Sequence, residues 1–168
     1  MNGKTVAESR IITAIQMNPE DANPVGNVHG GVVMRHVDTV AGAVAIRHSR
    51  QNCVTASIDR LDFHHPIFVG DLLILRASLN HVGRTSMEVG VRVEAENMLT
   101  GEVRHTASAY LTFVALDGTG RPAQIPPLIL ENEEDSRRNC EAEVRREVRL
   151  AEKDREGRCV VPPEKAEA

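Results

Sequence analysis

Apolar residues recur along this chain with two different periods. From Arg10 to Met17, Ile11, Ile12, Ile15 and Met17 give the composition of a strand. Between Gly31 and His48 there is no proline, and Val33, Val37, Val40, Ala41, Val44 and Ala45 return at spacings of three and four, which predicts a helix. Val32, Met34, Ala43 and Ile46 fill its other faces, so it reads as a helix apolar almost all round and largely wrapped by a sheet. The period then changes to two. Cys53–Phe63 alternates Val54, Ala56 and Ile58 against Thr55, Ser57 and Asp59, and Leu72–Val82 reads as a second strand. In Ser86–Glu96, Met87, Val89, Val91, Val93 and Ala95 oppose Glu88, Arg92, Glu94 and Glu96, which predicts one wet face. Glu102–Ala115 repeats the alternation.

The connections sharpen the topology. Asn18–Gly31 holds two prolines and three glycines, so it reads as a long structured turn leading into the helix. Pro66–Asp71, Gly83-Arg84 and Leu99–Gly101 mark the turns between the later strands. Links this short suit antiparallel neighbours, because parallel pairing needs a crossover of a dozen or more residues.

Composition breaks once, near Pro126 and Pro127. Residues 131–168 hold 12 acidic and 9 basic side chains, a net charge of -3 out of -4 for the 168 residues. Glu131–Gly157 reads as a solvated helix with i, i+4 pairs such as Glu141 with Arg145, ended by Gly157. The division is therefore a core domain over 1–130 and a charged helix and tail over 131–168.

Charge and composition narrow the chemistry. A negative net charge, no Trp, and Tyr110, Phe63, Phe68 and Phe113 as the whole aromatic set disfavour a nucleic-acid partner, which needs basic faces and stacking platforms. No stretch has the length of a signal peptide's apolar core or of a membrane span, and Cys53, Cys140 and Cys159 are an odd, widely spaced set, so a reducing, cytoplasmic setting is expected. Nucleotide-binding glycine motifs and the G-x-S-x-G elbow are absent. His29, His64, His65 and Asp62 lack metal-ligand spacing, so no metal is expected.

Asp38 is the first candidate for chemistry. A carboxylate inside a nearly all-apolar helix costs free energy unless it is paired, lies at an interface or lines a pocket; pairing with a neighbouring backbone, Arg or His is the structural alternative to catalysis. Gly30 and Gly31 at the start of the same helix leave N–H groups at the positive end of its dipole, where an oxyanion fits, although glycines there also serve close packing. Gly83-Arg84-Thr85-Ser86 offers a cation and two hydroxyls at a hairpin turn.

Four ordered blocks carry a resemblance: DANPVGNVHGGVVMRHVD (21–38), RHSRQNCVTASIDRLDFHHPIFVGD (47–71), HVGRTSMEVGVRVEAENMLTGE (81–102) and ASAYLTFVALDGTGRPAQIPPL (107–128). With them the chain resembles the hotdog-fold acyl-CoA thioesterases, and within these the cytosolic or brain-type acyl-CoA hydrolases and their bacterial single-domain relatives. The resemblance covers about residues 10–130 and continues into the tail helix. It implies an α+β fold in which an antiparallel sheet wraps a central helix, two domains paired as a double hotdog, and often three such pairs in a hexamer. It also implies hydrolysis of fatty acyl-CoA without a further cofactor, coenzyme A being part of substrate and product. Asp38 is then the general base, Asn23 of the partner subunit orients water or carbonyl, Gly31 helps hold the oxyanion, and Gly83, Arg84, Thr85 and Ser86 face CoA. Two other functions stay open on this fold: a non-catalytic acyl-CoA sensor, disfavoured by the presence of both Asn23 and Asp38, and a hydroxyacyl-thioester dehydratase, disfavoured by the lack of a motif His in the expected loop.

Overall fold

The computed structural model describes residues 2–157. Its elements are β1 (Lys4–Thr5), α1 (Val6–Ser9), β2 (Ile11–Gln16), α2 (Gly30–Ser49), β3 (Asn52–Phe63), β4 (Leu72–Val82), β5 (Ser86–Asn97), β6 (Glu102–Leu116), β7 (Leu128–Ile129) and α3 (Glu133–Gly157). Five strands form one antiparallel sheet in the order β2-β4-β5-β6-β3, and β1 pairs with β7 in parallel beside it. The meander β4-β5-β6 follows from its short turns. Strand β3 enters beside β6 because α2 carries the chain across the sheet before it.

The core lies between α2 and the sheet. Val33, Val37, Ala41 and Val44 of α2 are buried against Leu75, Val89 and Leu111 of β4, β5 and β6. Phe113 lies against the helix at Gly42, where a Cβ would make an ordinary van der Waals contact with the ring at 3.5 Å. The chain enters α2 through a cap on His29 and leaves it through Arg50, whose φ of 58° ends the helix in the left-handed region.

Four expectations need correction. Helix α2 is buried along one stripe only: Ile46, opposite that stripe, is 46% exposed, and Met34, near the helix start, is 41% exposed, because one copy of the sheet covers one face of a helix. Strand β3 does not alternate as written. Its register slips between Thr55 and Ser57 and again between Ile58 and Arg60, leaving Val54 46% and Ile58 40% exposed on an edge strand.

The outer face of β5 is not uniformly wet, since Glu88 is only 4% exposed. What covers it is α3, which is not a solvated appendage. Ala142 is buried against the sheet, and Arg145 forms a two-bonded pair with Glu88 (2.7 and 3.1 Å) while its guanidinium lies 3.8 Å over the Tyr110 ring. Arg138 donates to Ser78, and Arg149 pairs with Asp59. The i, i+4 pair read from the sequence, Glu141 with Arg145, is replaced: Arg145 turns inward to Glu88, and Glu141 pairs with Arg137 on the outer side. Cys159 lies outside the described residues.

Candidate active site

Asp38 is the ninth residue of α2 and half-buried. Its Oδ1 accepts a hydrogen bond from Thr55 Oγ1 of β3 at 2.7 Å, and among the described residues its other oxygen has no partner. The hydroxyl fixes the carboxylate's orientation and leaves one oxygen for a proton or a water. The register slip after Thr55 makes this contact: it turns Thr55 toward α2 while Ser57, two residues on, joins Asp59 at 2.8 Å on the outer face. Sequence reading passed over Thr55 because a threonine among alternating strand residues is ordinary, and only its place within the 47–71 block distinguished it.

The loop before α2 is built around Asn23. After the 3-10 turn Pro19–Asp21, the Asn23 side-chain oxygen accepts from the N–H groups of Val25 (3.0 Å) and Asn27 (3.2 Å), and Gly26 closes the turn at φ 88°. With its oxygen held by its own loop, Asn23 keeps its amide NH2 as a donor without a partner among the described residues. The loop is braced from behind. Val28 N–H donates to Ile67, and the buried carboxylate of Asp71 accepts from Phe68 N–H (3.0 Å) and from Arg104 (2.8 Å), whose guanidinium stacks over Phe68.

The two helix-start glycines differ. Gly31 N–H is not free: it donates to Nδ1 of His29 at 2.9 Å, the helix cap, which corrects the expectation that both N–H groups are exposed. Gly30 N–H makes no hydrogen bond among the described residues, with the Phe63 ring close by. Gly30 stands eight residues before Asp38, so a rise of about 1.5 Å per residue separates them by about 12 Å along the helix. Within one chain, then, Asn23 and Gly30 are gathered at one end of α2, and Asp38 with Thr55 lies two turns away.

Gly83–Ser86 forms the β4–β5 turn, closed by Gly83 N–H to Ser86 (2.8 Å); Arg84 is exposed, and its carbonyl accepts from Ile125. Register places the turn at the same end of the sheet as Thr55: Ser86 pairs with Val114, which pairs with Val54. At about 4.8 Å per strand this sets Ser86 about 10 Å from β3. The histidines do not assemble. His64 packs 5.1 Å from His105, Asp62 pairs with Arg60, and among the described residues no group of three or more His, Cys, Asp or Glu could hold a metal ion. No described helix is long and apolar enough to cross a membrane.

The sequence profile of the Thioesterase superfamily matches residues 25–102, from the Asn23 loop through α2 and β3 to β5. The chain is 40% identical over 128 residues to the uncharacterized acyl-CoA thioester hydrolase YkhA of Bacillus subtilis, covering 76% of this chain and 74% of that one. The chain belongs to the thioesterase superfamily. Within it this thioesterase stands among the acyl-CoA thioester hydrolases, and its architecture is the hotdog fold. The cytosolic acyl coenzyme A thioester hydrolase of Rattus norvegicus is 36% identical over 136 residues; these are 80% of this chain and 36% of the rat protein. An apo-hexameric acyl-CoA thioesterase superposes with a TM-score of 0.87 at 39% identity, covering 90% of this chain and 97% of that one. The acyl-CoA hydrolase of Staphylococcus aureus, solved with butyryl coenzyme A and coenzyme A, superposes at 0.85 with 33% identity, over 92% and 94% of the two chains. That enzyme has also been solved with an aspartate, an asparagine and a threonine each replaced by alanine.

Proposed function

We propose that this thioesterase hydrolyses fatty acyl-CoA to a free fatty acid and CoA in a site shared by two copies of the chain. Asp38 takes a proton from water as the general base, held in orientation by Thr55. Asn23 of the other copy donates through its amide to the thioester carbonyl or the attacking water. The N–H groups at the start of α2, Gly30 foremost and Gly31 if His29 yields it, stabilise the oxyanion. The observation that carries the reading is the separation along α2: about 12 Å divides Gly30 from Asp38, whereas a water and the carbonyl it attacks must lie about 3 to 3.5 Å apart. One chain cannot serve both ends of the reaction, and two copies placed loop to helix can.

The positions substituted in the Staphylococcus aureus hydrolase support the assignment. Its asparagine, aspartate and threonine are separated by 15 and 17 residues, the intervals that separate Asn23, Asp38 and Thr55. The second copy docks on the open edge of β3 and the exposed face of α2, and three such dimers form a hexamer. Gly83, Arg84, Thr85 and Ser86 meet the CoA end of the substrate, Arg84 as an exposed cation beside its phosphates. Residues 1–130 are the catalytic hotdog domain and 131–168 its charged C-terminal extension, and the enzyme works in the cytoplasm with no cofactor of its own.

The test is release of free CoA thiol from acyl-CoAs of increasing chain length, with wild type and Asp38→Ala compared. Turnover that falls by about 10² or more in the variant, with fold and assembly kept, supports the reading. A wild type that binds acyl-CoA and releases no thiol at any length replaces it with acyl-CoA sensing.

A further inference from the structure

We propose that Arg149 of α3 is a positioning residue for hydrolysis: its pair with Asp59 holds the bulged stretch of β3 that presents Thr55 to Asp38. The inference rests on the reading of Asp38 as the base and deepens it, because it gives the C-terminal helix a part in the chemistry.

Strand β3 is one of the two edge strands of the sheet. It is bonded to β6 alone, and its ladder slips twice within a few residues, leaving Ala56 and Asp59 without a ladder partner. Without the first slip, Thr55 and Ser57 would share a face, as residues two apart in a strand do. With it, Thr55 faces Asp38 and Ser57 faces outward. The bulges take Ala56 and Asp59 out of the ladder, so contacts outside the ladder add to what holds this stretch.

The outer face supplies that hold. Asp59 Oδ1 accepts from Ser57 Oγ at 2.8 Å, on the residue that follows the first slip. Its Oδ2 accepts from Thr112 of β6 at 3.4 Å and from Nη1 of Arg149. Both ion-pair partners are largely withdrawn from solvent, with side-chain exposures of 10% for Asp59 and 26% for Arg149. Arg149 is itself fixed in height, since Arg145, one turn earlier, grips buried Glu88 and Tyr110, and Arg138 reaches Ser78. Thus α3, anchored on β4 and β5, extends its last inward-facing arginine across β6 to the catalytic edge. The guanidinium contacts Asp59 through one nitrogen only, so a lysine can replace it, which would fail at a two-bonded site.

The test uses the full chain with Arg149→Ala, Arg149→Lys, Asp59→Asn and Thr55→Ala, and the combination of Arg149→Ala with Thr55→Ala, on the acyl-CoA that wild type turns over fastest. For Arg149→Ala the expected result is a roughly tenfold fall in kcat with KM within about twofold, a loss of the size that displaced catalytic groups produce. Arg149→Lys restores most of kcat, and Arg149→Ala costs nothing further once Thr55 is gone, because its effect passes through that hydroxyl. Should Arg149→Ala not fold, Asp59→Asn carries the same test. The proposal is overturned if kcat stays at the wild-type value, if the loss lies in KM, or if the losses from Arg149 and Thr55 multiply. Failure of the underlying reading looks different: there, Asp38→Ala and Thr55→Ala would turn over like wild type.

Discussion

Subunits that are each inactive should restore activity to one another. Take one chain with Asn23→Ala and a second with Asp38→Ala, co-expressed with different tags and purified so that each assembly contains both. The donor end of the site, Asn23 and Gly30, lies about 12 Å along α2 from Asp38, several times the distance that a nucleophile and its carbonyl can span. Each site of a dimer therefore takes its donor end from one copy and its base from the other. In the mixed dimer one site loses both groups and the other keeps both, so it should show about half the wild-type rate per dimer, and a random one-to-one mixture about a quarter. The assay is release of CoA thiol, with each parent variant as background. Mixed assemblies no more active than their parents would refute the shared site and place Asn23 and Asp38 in service of a single chain.

Further expectations concern stability. Arg145→Ala leaves Glu88 buried with Asn80 as its remaining partner at 3.0 Å, so unfolding should become easier by about 3 kcal/mol in a denaturant titration. Glu134→Gln, which breaks pairs only on the exposed side of α3, should leave the transition where it was. His48 is fully buried between Ser9 and the Pro126 carbonyl, and burial holds its imidazole below the ordinary 6.5. The unfolded chain therefore binds this proton first, so stability should fall as pH drops below about 6.5, and His48→Gln should flatten that slope in melting curves taken from pH 7.5 to 5.5.

Much of the fold was legible because burial imposes periodicity. The apolar repeat of three and four placed α2 within one residue at each end, and the alternation in β5 named its core-facing residues correctly. What escaped were features set by contacts distant in sequence. The parity of β3 depends on two bulges, which no alternation records, so Thr55 was read onto the wrong side of the argument. Arginines that cross to Glu88 and Asp59 look, in sequence, the same as arginines paired four residues along the helix. At the site, Asp38 stood out as a charge in an apolar helix, and Asn23 came only from the resemblance. The capture of Gly31 N–H by His29 needed the geometry of the cap itself.

The short pairing of Lys4–Thr5 with Leu128–Ile129 bears on the order in which the molecule is made. Lys4 and Thr5 wait for partners 124 positions later in the chain. The β4-β5-β6 meander, by contrast, closes among near neighbours and can form first. When Leu128 arrives, Lys4 meets both Pro127 and the His48 carbonyl at the end of α2, fastening the chain's start to the segment that leads into α3. The pairing of β1 with β7 is thus a late closure made just before α3, and the last helix docks onto a sheet whose neighbouring strands have only just been tied down.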